Sequence, residues 1–188
     1  MISPEDVFSL FPEIEWLNSN TLKESVVKTW VEATKLGGWN KDELEKLPFV
    51  LIELKDCSVT LVEHVRNVTK LAAKIEAMLA SFYNKHLKVN REVVLAGALL
   101  HDVGKLVEYS QINNGYTFSQ LGKLLRHPII GAILAFQCGV PPEVCHIISV
   151  HSFEGDKSYI SPEGFIVKNA DWLNFDFLAY KYQSNLKH

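Results

Sequence analysis

The sequence predicts an all-α protein, a helical bundle with an N-terminal helical extension, and three observations carry that reading. Apolar residues recur at three- and four-residue spacing along the longer segments. Those segments open on residues that cap helices, and the stretch Val93 to Leu100 is apolar all round, as a central bundle helix would be. No repeat of 20 to 50 residues and no low-complexity tract interrupts the pattern. We divide the chain into the extension, residues 1–55, and a main domain, residues 56–188.

In the extension, Ser3-Pro4-Glu5-Asp6 is an N-cap signature and Pro12 breaks the first segment. Thr21 to Leu36 carries Leu22, Val26, Val27, Trp30 and Val31 at helical spacing, and Gly37-Gly38 stops it. Trp16, Trp30 and Trp39 have two readings: they pack the extension onto the main domain, or they form a partner-binding face.

From Thr60 to Phe82 the periodicity is strongest. Thr60 and Glu63 are spaced as a capping box, and Leu61, Val65, Val68, Leu71, Ala72, Ile75 and Leu79 form one stripe on which His64 also lies. Asn90 caps the next helix, which delivers His101 and Asp102 into the interior. A buried Asp is costly unless it is paired or binds a metal. Residues 106 to 122 are polar and contain the turn signal Asn113-Asn114-Gly115, so they read as a loop or small hairpin, placed to act as a lid.

His127 falls at the N-cap of a helix that Pro128 opens and Gly139 ends. Pro141-Pro142 opens the following helix, Glu143 to about His151, with Val144, Ile147, Ile148 and His151 on one face and His146 on another. Ser152 to Lys157 is a polar loop. Ser161-Pro162-Glu163 caps a last helix, Phe165 to about Lys181, which turns Asp171 inward among Ile166, Val167, Ala170, Asn174 and Phe177.

A chain of 188 residues buries a sizeable core as one domain with its extension. Its net charge of −3 gives no broad basic field, so neither a nucleic-acid polymer nor a membrane surface is the expected partner. Cys57, Cys138 and Cys145 form no C-x-x-C pair and are odd in number. That argues against a disulfide framework and a thiolate zinc site, and for reduced thiols in the cytoplasm. The N-terminus lacks the order of a signal peptide, and no apolar run approaches the roughly 20 residues that cross a bilayer.

The chemistry centres on His101-Asp102-Val103-Gly104-Lys105: an imidazole beside a carboxylate, a glycine that lets the chain turn, and a cation beyond it. With His64, His127, His151 and Asp171, the chain reads H…HD…H…H…D. In this order and with HD at a helix end, residues 58 to 178 resemble the HD-domain superfamily of metal-dependent phosphohydrolases. Residues 1–55 look like the extension of stand-alone prokaryotic members.

The resemblance implies one metal on His64, His101, Asp102 and Asp171, and a second on His127 and His151 with Asp102 bridging. The stretch from His151 to Asp156 also resembles that of the cyclic-di-nucleotide phosphodiesterase branch. Ser152 replaces that branch's second histidine and its Gly-Tyr-Pro signature is missing, so its substrate is not carried over.

The resemblance thus implies two divalent transition-metal ions, iron first; imidazole and carboxylate ligands without thiolate suit iron, manganese, cobalt, nickel or zinc alike. The expected activity is phosphoester hydrolysis by a metal-activated hydroxide, on a nucleotide or another small phosphorylated metabolite. Lys105 is either the cation that neutralises a phosphate or a helix-terminal complement to the dipole. Lys123, Arg126 and Lys157 add phosphate contacts or are solvated surface charges, and Glu154 orients the attacking water or a ligand histidine. Two rival readings stand beside hydrolysis. One is the mixed-valent di-iron oxygenase chemistry of some HD-fold proteins, and the other a metal-stabilised nucleotide-binding module. A homo-oligomer formed through the extension is a further expectation.

Overall fold

The structure, a computed structural model, describes residues 2–52, 54, 56–113 and 115–182. Asn114 of the expected turn, Glu53 and Lys55 of the extension and the last six residues of the main domain lie outside the described residues.

The extension comprises α1 (Pro4–Leu10), a 3-10 turn (Pro12–Trp16), α2 (Asn20–Gly37) and α3 (Lys41–Leu44). Ser3 and Asp6 close a reciprocal capping box on α1, and Gly38 ends α2 with φ of 75°, a left-handed value that favours glycine. These helices share one continuous core with the main domain. Trp30 is fully buried, stacks on Phe11 at 4.3 Å and donates its indole N–H to Leu99 O at 3.2 Å. Trp39 donates to Leu106 O at 2.6 Å. Buried Glu13 receives Arg66 at 3.1 Å and Lys70 at 3.2 Å. Two of the three tryptophans are thus packed inside the chain rather than offered to a partner; Trp16 is exposed.

The main domain is built on α4 (Leu61–Tyr83), α5 (Arg91–Leu100), α8 (His127–Gln137), α9 (Pro142–Val150) and α10 (Pro162–Tyr182). Thr60 and Glu63 form the expected capping box, and Asn90 accepts from Glu92 N. Every residue of α5 from Val94 to Leu100 is buried, and the helix packs against α2, α4, α9 and α10, which accounts for its all-round apolar character. A second cluster, including Val68, Ala98, Ile147 and Val167, fills the space between α4, α5, α9 and α10.

Between α5 and α8 the chain takes the small-hairpin reading of residues 106 to 122 and adds a short helix on each side. It forms α6 (Lys105–Glu108), the antiparallel hairpin β1 (Tyr109–Ile112) and β2 (Gly115–Phe118), and α7 (Gln120–Leu124). The hairpin pairs Tyr109 with Phe118 and Ile112 with Gly115, so one small sheet adorns the otherwise all-α fold. His127, expected at the N-cap, is instead the first helical residue of α8, and the N-cap falls one position earlier, at Arg126. Phe177, expected inward, is exposed on α10. Among the described residues no helix is long and apolar enough to cross a membrane.

Candidate metal centre

Five helices deliver the candidate ligands to one point. His64 comes from the first turns of α4, His101 and Asp102 from the end of α5, His127 from the start of α8, and His151 caps the end of α9; Asp171 lies mid-way along α10. His64, His101, Asp102, His127 and His151 are buried, and the Asp171 side chain is 16% exposed.

Asp102 stands in the middle. Its Oδ2 faces His101 Nε2 at 3.4 Å and His64 Nε2 at 3.5 Å; its Oδ1 faces His127 Nε2 at 3.3 Å and His151 Nε2 at 3.6 Å. Asp171 Oδ1 completes the first group, 3.0 Å from His64 Nε2 and 3.8 Å from His101 Nε2. Ligand atoms held about 2.1 Å from a shared ion sit roughly 3.0–3.4 Å from one another, so both groups have the spacing of ligand sets.

The proton positions argue the same way. His101 Nδ1 lies 2.7 Å from Ala98 O and His151 Nδ1 lies 2.8 Å from Ile148 O; a carbonyl only accepts, so each Nδ1 carries the proton. His127 Nδ1 donates to Glu108 Oε2 at 2.9 Å. In their neutral forms these three rings turn bare Nε2 lone pairs toward the centre. The Nε2 atoms of His127 and His151 are 3.3 Å apart, an unfavourable meeting of lone pairs that a cation between them relieves. The chemistry and spacing of these donors therefore fit metal-ligand groups, and Asp102 belongs to both of them.

Burial holds the His64 and His127 imidazoles below their ordinary pKa, against the opposing pull of Asp171 and Glu108 respectively, which keeps both in the ligating form. Burial works to raise the Asp102 carboxyl, but the Lys105 ammonium and His101 outweigh it and hold it well below the usual carboxylate range. Lys105 is correspondingly raised: burial opposes its charge and Asp102 overcomes that.

Lys105 Nζ donates to Asp102 Oδ2 at 2.8 Å and to Phe49 O at 2.7 Å, so two of its three protons are engaged. Together with Arg126 it lines a cavity of about 210 Å³ that opens onto the ligands. Arg126 Nε is fixed by Glu108 Oε1 at 2.6 Å, and its guanidinium lies over the rings of Phe118 and Phe153, 5.9 and 5.6 Å from their centres.

The other expected charges are not brought to this cavity. Lys123 on α7 and Lys157 are exposed and away from its walls. The 3-10 turn Phe153–Gly155 directs Glu154 behind Arg126: Oε2 takes the Ser152 hydroxyl, and buried Oε1 stands 3.7 Å from Arg126 Nε. Glu154 is thus a neighbour of the arginine and not of the cavity. His146, set aside in the sequence, accepts from Ser161 N at 3.2 Å and stacks on Tyr159, on another side of α9.

Gly104 contributes differently from the expected turn. Its φ is −64°, open to any residue, but a Cβ there would lie 2.1 Å from His127 O. Its lack of a side chain lets the HD turn touch the start of α8 and brings the two halves of the ligand set together.

Two contributors escaped the sequence reading. Glu108 belongs to the polar stretch 106 to 122, which reads as a loop or small hairpin; its inward aim follows only once α6 is known to be helical, since spacing of three and four then puts it with Lys105 and Gly104. Phe49 lies in a segment without periodicity. It is placed by the bonds Phe49 N to Val59 O and Leu61 N to Leu47 O, and its ring stacks on His64 at 4.5 Å.

A dihydroneopterin 2′,3′-cyclic phosphate phosphodiesterase of Methanocaldococcus jannaschii is 36% identical over 115 residues, 59% of this chain and 44% of its own. The 3′-5′ exoribonuclease YhaM of a Geobacillus species is 33% identical over 122 residues, 60% of this chain and 37% of its own. A ribonuclease Y of Thermosipho melanesiensis is 29% identical over 98 residues, 52% of this chain and 16% of its own. The chain matches less than half the length of each of these relatives, and no solved structure matches it. The HD domain family matches residues 61–176, a span that holds all six converging candidate ligands and leaves out the whole extension: the chain belongs to the HD domain family.

Proposed function

We propose that the chain is a metal-dependent phosphoester hydrolase acting on a small phosphorylated compound, a nucleotide or cyclic phosphate being the first choice. The observation that carries this reading is Asp102, which turns one carboxylate oxygen toward each of two ligand groups. The relatives' names support the reaction class, since a cyclic phosphate phosphodiesterase and two ribonucleases all cut phosphodiesters. The limited cavity supports a small substrate over a polymer.

On this reading His64, His101, Asp102 and Asp171 hold one ion, and Asp102, His127 and His151 hold the other. Iron is the first candidate, with manganese, cobalt, nickel or zinc able to use the same donors. When bound, such a pair supplies a water of lowered pKa and charge for a phosphoryl oxygen. The chain's own contribution is positional. Arg126, rigid between Glu108 and two aromatic rings, binds a non-bridging phosphate oxygen. Lys105 holds the Asp102 carboxylate in place through its 2.8 Å hydrogen bond and offers an N–H to the substrate.

The test is hydrolysis of bis(p-nitrophenyl) phosphate and 2′,3′-cyclic AMP by protein loaded anaerobically with iron(II) or manganese(II). Turnover of either ester, lost on chelation, supports the reading. Full metal occupancy with no ester cut, together with oxygen consumption, overturns it in favour of oxygenase chemistry.

A further inference from the structure

The cavity mouth holds a feature that phosphate binding does not require. Phosphate is recognised by cations and N–H groups, yet Phe49, Phe153, Trp172 and Phe175 line the same cavity as the metal ligands and Arg126. They divide into two pairs. Phe49 is buried; it stacks on His64 and meets Phe175 edge-on at 6.4 Å, so that pair builds the inner wall. Phe153 and Trp172, by contrast, are 57% and 40% exposed.

Both exposed rings are held in place. Trp172 follows the ligand Asp171 and donates its indole N–H to His151 O at 3.3 Å. Phe153 lies two residues after the ligand His151 and carries the Arg126 guanidinium over its ring. Their positions relative to the metal centre are therefore set by the same residues that build it. Large rings kept partly in water at the edge of a polar site are unfavourable for the free protein, and stacking against a planar ligand offsets that cost. Because the rings are already fixed, stacking costs little ordering entropy.

We propose that Phe153 and Trp172 form a ring-binding subsite for a flat heteroaromatic group, of purine or pterin size, carried by the phosphoester that the metal centre takes. This rests on the hydrolase reading for the placement of the phosphate. The substrate class it names is a heteroaromatic phosphoester, in preference to sugar or alkyl phosphates.

The experiment compares three ligands on the metal-loaded protein by isothermal titration: AMP, ribose 5-phosphate, which is AMP without its base, and adenosine, which lacks the phosphate. Base stacking is worth about 5- to 150-fold in affinity, so AMP is expected to bind at least about tenfold more tightly than ribose 5-phosphate. Phe153→Leu and Trp172→Leu should each remove most of that advantage, with ribose 5-phosphate affected less than AMP and metal content checked in both. Equal binding of AMP and ribose 5-phosphate would overturn the subsite. So would variants that weaken the two ligands equally, since Phe153 would then act only through Arg126. Adenosine separates the two readings: if no ester is hydrolysed but adenosine and AMP bind with the same sensitivity to Phe153→Leu, the subsite stands and the hydrolase reading falls. Failure of AMP and adenosine to bind at all removes the subsite.

Discussion

Glu108 and His127 are joined by a 2.9 Å hydrogen bond from the imidazole Nδ1 to carboxylate Oε2, while the other oxygen, Oε1, holds Arg126 at 2.6 Å. One buried carboxylate thus orients a candidate metal ligand and a cation of the cavity together. The two roles separate chemically in Glu108→Gln. An amide oxygen still accepts from His127, but the amide NH₂ meets Arg126 donor to donor. We expect Glu108→Gln to keep its metal and raise KM for a phosphoester about 10- to 100-fold, with a smaller change in kcat, and Glu108→Ala to lose metal affinity as well. Steady-state kinetics with metal analysis of both variants checks this; equal effects of Gln and Ala on metal content would contradict it.

The pair Asp102 and Lys105 makes a second prediction. Asp102→Ala should abolish metal binding and lower activity by at least about a thousandfold, and it takes from the buried ammonium its ion-pair partner, leaving it the hydrogen bond to Phe49 O among the described residues. Such an unpaired charge costs about 3–5 kcal/mol. Asp102→Ala combined with Lys105→Met should recover much of that stability and none of the activity. Urea unfolding of the chelated proteins gives the comparison, and a double variant no more stable than Asp102→Ala would refute the pairing argument.

Gly104→Ala should destabilise the protein by about 3 kcal/mol, because the added methyl meets the His127 carbonyl and neither backbone can yield. Helix propensity alone predicts the opposite sign, since φ there already suits alanine. Thermal unfolding decides between the two.

Acid sensitivity follows from Asp171. Burial works to raise its carboxyl, but the hydrogen bond from His64 and the charges of His101 and His64 outweigh it and hold it at about 2, below its ordinary 3.8. A depressed carboxylate contributes stability that is present above the unfolded value and lost as pH falls through the folded one. In metal-stripped protein, the stability of the natural sequence relative to Asp171→Asn should fall by about 2 kcal/mol between pH 5 and pH 2. A difference that is constant across that window would count against the His64 bond as its cause.

Much of this was legible in the sequence, for reasons that vary by element. The capping box of Thr60 and Glu63 and the unbroken apolar run of α5 are local patterns, and they gave the helix start and the central helix directly. The six ligand-type residues stood out because each is an imidazole or carboxylate on an apolar stripe or at a helix end. What was not legible depends on tertiary contact. Glu108 reaches His127 across 19 residues and Phe49 reaches Lys105 across 56, and neither has a pattern of its own. Lys123 and Lys157 show the converse: closeness in sequence to a ligand did not bring them to the cavity, because a short helix and a 3-10 turn lead them outward.

The account stands most directly on the count of metal ions. Protein purified anaerobically should carry two equivalents of metal per chain by elemental analysis, and His127→Ala with His151→Ala should leave one, held by His64, His101, Asp102 and Asp171. Loss of both equivalents, or of neither, would contradict two ions bridged by Asp102.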